Sequence, residues 1–263
     1  MNILEKYNLW NDNLRIEYEK MWPEAKYHIW DGVVSPEDYY KAPIKILFLN
    51  KESYDDPRNG GYDISKAISK EYEEGKPILG GGNSTLMMAT KSRLSILKWL
   101  YKDFCSLDRE KTIQYNNIYS IESFRKDVMS VAYCNIKKSD GNKTSNKQDL
   151  YINFYKNKQI IEKQIEFFNP SIIIGGNIVG GIIQNQIEWG EELFSSKSYW
   201  VNIFQWRING NDYPIVDMFH PSWRSLKNKG NLECERRELY MALEYVEEKY
   251  PGFWKKRCGN NCF

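Results

Sequence analysis

Apolar residues Ile3, Leu4, Tyr7, Leu9, Trp10, Leu14, Ile16 and Tyr18 recur near helical spacing and predict an N-terminal helix over residues 3–22. A connection from Trp22 to Pro43 follows. It is broken at Ser35-Pro36-Glu37-Asp38, where serine as N-cap and proline at the first helical position mark a helix start. Ile44 to Leu49 is a short apolar run with the look of a buried strand, bounded by Pro43 and by the polar cluster from Asn50 to Asp56. Further along, Val128 to Cys134 and Ser171 to Gly175 read as two more buried strands, and Tyr199 to Gln205 as another. The run from Pro214 to Phe219 is the fourth core strand, stopped by His220-Pro221-Ser222. Helical patterns fill the intervals: Lys66 to Glu74, Thr90 to Phe104, Lys147 to Phe168, a helix opening at Gly176, and Glu233 to Lys249.

Strands alternating with helices imply an α/β chain, a three-layer α/β/α sandwich around a central, mainly parallel four-stranded sheet with right-handed crossovers. In that architecture every parallel strand delivers its C-terminal loop to one edge, where open sheets bind ligands. The loops at Asn50, Asn135, Gly175 and His220 therefore converge. The 263 residues make one domain, with an N-terminal helical extension over 1–43 and an insertion at about 57–91 that carries Gly60-Gly61 and Gly80-Gly81-Gly82.

Composition narrows the partners. Hydrophobic residues make up 41% and charged residues 27%, ordinary for a globular protein. A net charge of +2 excludes a wholly basic surface but leaves room for a local basic face, and aromatics at 15% supply rings for stacking. No apolar run approaches the roughly 20 residues of a membrane span, and Met-Asn-Ile-Leu-Glu-Lys is no signal peptide. Five scattered cysteines suit reduced thiols in a cytoplasm. Cys258 and Cys262 lack partners at metal-ligand spacing and read as a flexible tail, so no metal or cofactor is expected.

Gly80-Gly81-Gly82-Asn-Ser lacks the Lys-Ser/Thr ending and the preceding strand of a phosphate loop. Gly175-Gly176-Asn177-Ile178-Val179-Gly180 misses the dinucleotide spacing, and close helix–sheet packing accounts for its glycines. The polar loop behind the first strand and the lysine-bearing loop after the second (Lys137, Lys138, Lys143) stand at the shared edge, where lysines can meet phosphates.

Taken together, these segments resemble the uracil-DNA glycosylase superfamily over about residues 44–226. Ile46-Leu-Phe-Leu-Asn-Lys-Glu-Ser-Tyr54 sits where that family has its water-activating motif. Val131-Ala-Tyr-Cys-Asn-Ile-Lys-Lys138 looks like its strand ending in a base-reading asparagine. Phe168-Asn-Pro-Ser-Ile-Ile-Ile-Gly175 is similar to its third strand, and His220-Pro-Ser-x-Arg224 matches its His-Pro-Ser motif. The first motif departs from the family's Pro-Gly or Pro-Tyr ending, so the water-holding position stays open between Asn50 and Glu52, with Asp55 and Asp56 behind.

The resemblance implies hydrolysis of the bond between a pyrimidine and deoxyribose after base flipping. His220 would donate to the base O2, Asn50 or Glu52 would hold water, and Asn135 would read the Watson–Crick edge. Tyr54 and Ser222 would line the base site. Lys137, Lys138, Lys143, Arg224 and Trp223 would hold single- or double-stranded DNA, and the protein would act as a monomer. The missing proline and the insertion suggest a base larger than uracil, such as a modified cytosine of phage DNA, and a role in repair or antiviral defence. Two other classes remain, a non-catalytic DNA- or nucleotide-binding module on the same fold and a hydrolase of free nucleosides or nucleotides.

Overall fold

The computed structural model describes residues 2–25, 28–52, 62–78, 121–139, 146–196, 201–218 and 229–259, with single positions 90, 93, 94 and 97. The helices are α1 (Ile3–Met21), α2 (Pro36–Lys41), α3 (Ile64–Glu73), α4 (Ile121–Met129), α5 (Lys147–Phe168), α6 (Lys229–Lys249) and α7 (Phe253–Gly259). The strands are β1 (Ile29–Trp30), β2 (Gly32–Val33), β3 (Ile46–Asn50), β4 (Tyr62–Asp63), β5 (Val131–Asn135), β6 (Ile172–Gly176), β7 (Glu188–Ser195), β8 (Val201–Ile208) and β9 (Asn211–Met218). A short second sheet pairs β1 with β4.

Sequence and structure agree most closely where a cap is written into the chain. Asn2 caps α1 through a reciprocal capping box with Glu5, and the Ser35 side chain accepts from the Asp38 amide at the start of α2. Asn146 caps α5, which ends on Asn169 in the left-handed conformation directly before Pro170.

The main sheet has the order β2-β5-β3-β6-β9-β8-β7, seven strands where a four-stranded, mainly parallel core was expected. Strands β5, β3, β6 and β9 do lie parallel side by side, but β2 adds an antiparallel edge on β5, and β8 and β7 continue the other side as a meander. The β8–β9 turn is Asn209-Gly210, both at positive φ, the pair that suits a two-residue hairpin matching strand twist. Four further boundaries correct the sequence reading. Val128 and Met129 belong to the last turn of α4, so the second core strand starts at Val131. The segment after Gly176 is a five-residue π-helical turn, Val179–Ile183. The Trp22–Pro43 connection contributes β1 and β2, and Cys258 lies buried in α7 rather than in a loose tail.

Period-two alternation along the buried strands sorts their side chains onto two faces. Ile46 and Phe48 pack with Val131, Tyr133, Ile172, Ile174 and Val216 beneath Leu239, Leu243 and Val246 of α6. Leu47 and Leu49 pack with Ala132, Cys134, Ile173 and Ile215 against Leu150, Phe154, Ile161 and Phe168 of α5 and Tyr7 of α1. Helices thus cover both faces, and the N-terminal segment is part of that cover. Gly32, at φ +151, sits so close to Tyr7 that a Cβ would lie 2.3 Å from the phenol oxygen, which accepts the Val33 amide. No helix among the described residues is long and apolar enough to cross a membrane.

Gly175 marks where the sheet is tightest. Paired with Asp217, it leaves a Cβ only 2.9 Å from the Asp217 carboxylate and 3.0 Å from Ile178. Gly175→Ala should lower stability by about 1–3 kcal/mol through overpacking. Gly180→Ala, with nothing within 4 Å of the new methyl, should cost far less. Urea unfolding midpoints of the two variants check the contrast.

Candidate functional site

The C-terminal edge of the parallel strands brings together residues that are far apart in sequence. Strand β3 lies between β5 and β6, the point where successive connections leave in opposite directions and open sheets form a crevice. Asn50 and Asn135 are direct partners across β3 and β5. The ladder then runs past both strands, with the Ile136 amide donating to Asn50 O and the Lys137 amide to Lys51 O, each at 2.9 Å. The two polar loops are therefore bonded backbone to backbone, so Asn50, Glu52, Asn135 and Lys137 share one corner.

Two of these groups stand out. The Asn135 residue is 1% exposed, and its Nδ2 is buried with no hydrogen-bond partner. A buried amide donor left unpaired costs roughly 1–3 kcal/mol, and native proteins keep few of them. Glu52 is turned inward, its side chain 4% exposed, with Oε2 3.9 Å from Lys137 Nζ. Asn50, 9% exposed, lies beside them at the end of the central strand.

The lysines correct the sequence reading. Lys138 is 2% exposed, and its ammonium lies 2.8 Å from both oxygens of Asp31. Burial alone would lower its pKa; the Asp31 charge and hydrogen bonds reverse that and raise it. Lys137, also buried, bridges Glu52 and Asp149, with 2.8 Å to the latter. Both ammonium groups are spent inside the protein and offer little to a DNA phosphate. Tyr54, Lys143, His220, Ser222, Trp223 and Arg224 lie outside the described residues, as does Gly80-Gly81-Gly82.

Asp31, which the sequence reading passed over, anchors the corner. It accepts from the Asn135 backbone N–H (2.6 Å), from Gln164 Nε2 of α5 (2.9 Å) and from Lys138. Cys134 completes the cluster, donating its thiol to Gln164 Oε1 at 3.2 Å, and burial pushes that thiol up to about 12. The one available signal was a charged residue in an aromatic-flanked stretch, Trp30-Asp31-Gly32.

Asp217 was the other residue overlooked, although a carboxylate inside the apolar run Ile-Val-Asp-Met is itself unusual. Its oxygens accept from the Ile178 and Val179 amides at 2.9 and 3.2 Å, at the entrance of the π-helical turn. That entrance is the place where a phosphate would sit in a dinucleotide fold, and here the protein fills it with its own carboxylate. Burial raises the Asp217 pKa to about 6, opposed by those amides and by Lys51. Lys51 is half-buried; burial lowers its pKa, Lys147 adds to the effect, and Asp217 and Glu52 oppose it. Perturbed acids and amines on one sheet edge are what functional sites collect.

Beyond Asp217 and Met218 opens a cleft of about 600 Å³, walled by the π-helical turn and the β7–β8 hairpin. Trp189 and Phe204 stand there with ring centroids 5.4 Å apart, near Asn202, Glu191 and Glu192. Strand β7 slips register twice along this wall, as bulges near binding sites do. Among the described residues no three His, Cys, Asp or Glu side chains group to hold a metal. The chain matches no protein-family model and no curated protein sequence.

Asp31→Asn would leave the Lys138 ammonium buried beside a neutral amide. The expected loss is about 3–5 kcal/mol in urea unfolding, partly recovered by Asp31→Leu with Lys138→Met, which removes both charges. For Asp217 the folded pKa lies above the unfolded one, so the folded state holds the extra proton. The contribution of this group to stability is therefore greatest below about pH 4 and falls as pH rises to about 6. The difference in unfolding free energy between wild type and Asp217→Asn should decline across that window and level off above it. A flat difference would refute the assignment.

Proposed function

We propose that the protein is a DNA glycosylase that hydrolyses the N-glycosidic bond of a flipped pyrimidine, with the fold and strand-end motifs of the uracil-DNA glycosylase type. The observation that carries this reading is the corner of Asn50, Glu52 and Asn135. A buried Asn135 amide with an open donor suits a pyrimidine carbonyl, which would relieve the unpaired group on binding. The inward Glu52 carboxylate favours catalysis over a binding module, for which it would turn to solvent.

In the reaction, bond cleavage builds positive charge on the sugar and negative charge on the departing base. Glu52, held in place by Lys137, would face the cationic sugar, and Glu52 or Asn50 would hold the attacking water. Asn135 would donate to the base as its oxygen gains charge. His220, two residues beyond the end of β9, would do the same at O2. Fixed donors in a dry site are worth more than the same donors in water. The long cleft at Asp217 lies along the same edge, and it supports a base carrying a substituent, a modified cytosine rather than plain uracil.

The test is single-turnover release of base, read as alkali-labile strand cleavage on duplexes containing uracil, thymine, 5-hydroxymethylcytosine or glucosylated 5-hydroxymethylcytosine. Cleavage of at least one is expected, with His220→Ala, Glu52→Gln and Asn135→Ala each slower by roughly a hundredfold or more. Asn50→Asp separates the two water-holding candidates. Absence of cleavage on every duplex, or wild-type rates in all these variants, overturns the proposal. Release of uracil alone removes only the modified-base part.

A further inference from the structure

Another cleft, of about 650 Å³, lies on the flank of α5 and belongs to no part of the corner described above. One wall is a single stripe of that helix, Tyr151, Tyr155, Lys158, Gln159 and Glu162, with Lys156 beside it; the other is Asn185 and Gln186, just past the π-helical turn. Tyr155 is 73% exposed and Tyr151 40%, an unusual outlay of aromatic surface on a monomeric helix. Lys156 rests over the Trp22 ring at 4.3 Å, which holds its ammonium against the surface. Gln186 is fixed by donating Nε2 to Tyr151 O and Ile182 O, and its Oε1 has no partner.

Charge separates the two clefts. The one at Asp217 carries Glu191, Glu192 and Asp217, and no lysine or arginine among its described lining residues, a lining poorly suited to a phosphodiester. The one on α5 presents Lys156 and Lys158 against a single carboxylate, Glu162, which lies 3.8 Å from Lys158, together with two exposed tyrosines and amide side chains, groups that bind an unpaired strand through backbone charge and base stacking. Position fits as well. Tyr151 is two residues from Asp149, whose carboxylate holds Lys137 beside Glu52. From Tyr151 to Glu162 the helix runs about 16 Å, at about 1.5 Å per residue. A strand leaving the site corner would meet the tyrosines first and continue down the helix for a few nucleotides.

We propose that this flank of α5 is a stacking groove for single-stranded DNA, with Tyr151 and Tyr155 as platforms and Lys156 and Lys158 as phosphate contacts. The proposal rests on the reading of the chain as a DNA enzyme. It also assigns the groove a substrate preference, because stacking on Tyr155 needs bases freed from their partners.

Fluorescence anisotropy with a labelled oligothymidylate, over a series of salt concentrations, tests it. Tyr151→Ala with Tyr155→Ala should weaken binding roughly tenfold or more. Lys156→Ala with Lys158→Ala should make the salt slope shallower by about 1.4, from two contacts at about 0.7 each. Both tyrosines are exposed, so their variant should keep the wild-type circular dichroism and melting temperature; the lysine variant gives up the Trp22 and Glu162 contacts and should melt slightly lower with unchanged circular dichroism. Wild-type affinity in the tyrosine variant, or an unaltered slope in the lysine variant, overturns the groove while leaving base release intact. No binding of the oligonucleotide by the wild-type protein overturns the groove, and only a parallel loss of cleavage on every duplex also removes the enzyme reading. Concentration-dependent self-association abolished by Tyr155→Ala would make the occupant a second copy of the chain and overturn it too.

Discussion

The arrangement of the site depends on one buried ion pair, Asp31 with Lys138. Removing two charges from water is costly, and their attraction offsets that only when every remaining oxygen and proton is satisfied. Here the ammonium spans both oxygens of Asp31, while Gln164 and the Asn135 backbone N–H supply the other donors. The pair ties three elements at one point: the turn between β1 and β2, the end of β5 and the C-terminal part of α5. An apolar cluster of the same volume could hold them together as firmly but would not fix the direction of the Asn135 backbone. Asn135 is thereby presented at the strand end with its side-chain amide unspent.

The sheet divides its labour around that point. Its parallel centre, buried on both faces, supplies strand ends in register and leaves their loops little freedom near the backbone. Its antiparallel side, β9-β8-β7, is a meander with one wet margin, and it builds the wall of the Asp217 cleft rather than the Asn50–Asn135 corner. The Gly175–Asp217 pairing is the seam between the halves. Because the carboxylate occupies the amides at the start of the π-helical turn, the glycine-rich junction has no vacancy for a phosphate, and its glycines serve close approach instead.

Much of the parallel core was legible in the sequence, because buried parallel strands are uniformly apolar and the helix between β5 and β6 carries its caps. The convergence of Asn50 and Asn135 followed from topology alone. The outer strands were harder. Glu188–Ser195 has three exposed glutamates and only Leu193 buried, so neither alternation nor an apolar run announced it. Asn209-Gly210 did announce the next hairpin, and reading it would have extended the sheet. The lysines after β5 misled for a physical reason. Charge in a polar loop is ordinarily solvated, and nothing local in Lys137-Lys138 reveals that Asp31, more than a hundred residues earlier, waits for one of them.

Internalising those lysines changes where a polyanion can be held. A chain of net charge +2 has few cations to spare, and two that stood beside the site are neutralised by Asp31, Asp149 and Glu52. Lys51 remains at the edge, but burial and the neighbouring carboxylates make it a poor surface contact. Among the described residues, the cations that stay exposed near the corner belong to α5, beginning at Lys147 and running along the flank that also carries Tyr151 and Tyr155. Electrostatic attraction over a Debye length of about 8–10 Å would therefore draw a strand toward that helix before it reaches the corner. On the proposed reading, recognition at the corner would be left to short-range groups, the unspent amide and the inward carboxylate, which would act only once a single base had been separated from the stack.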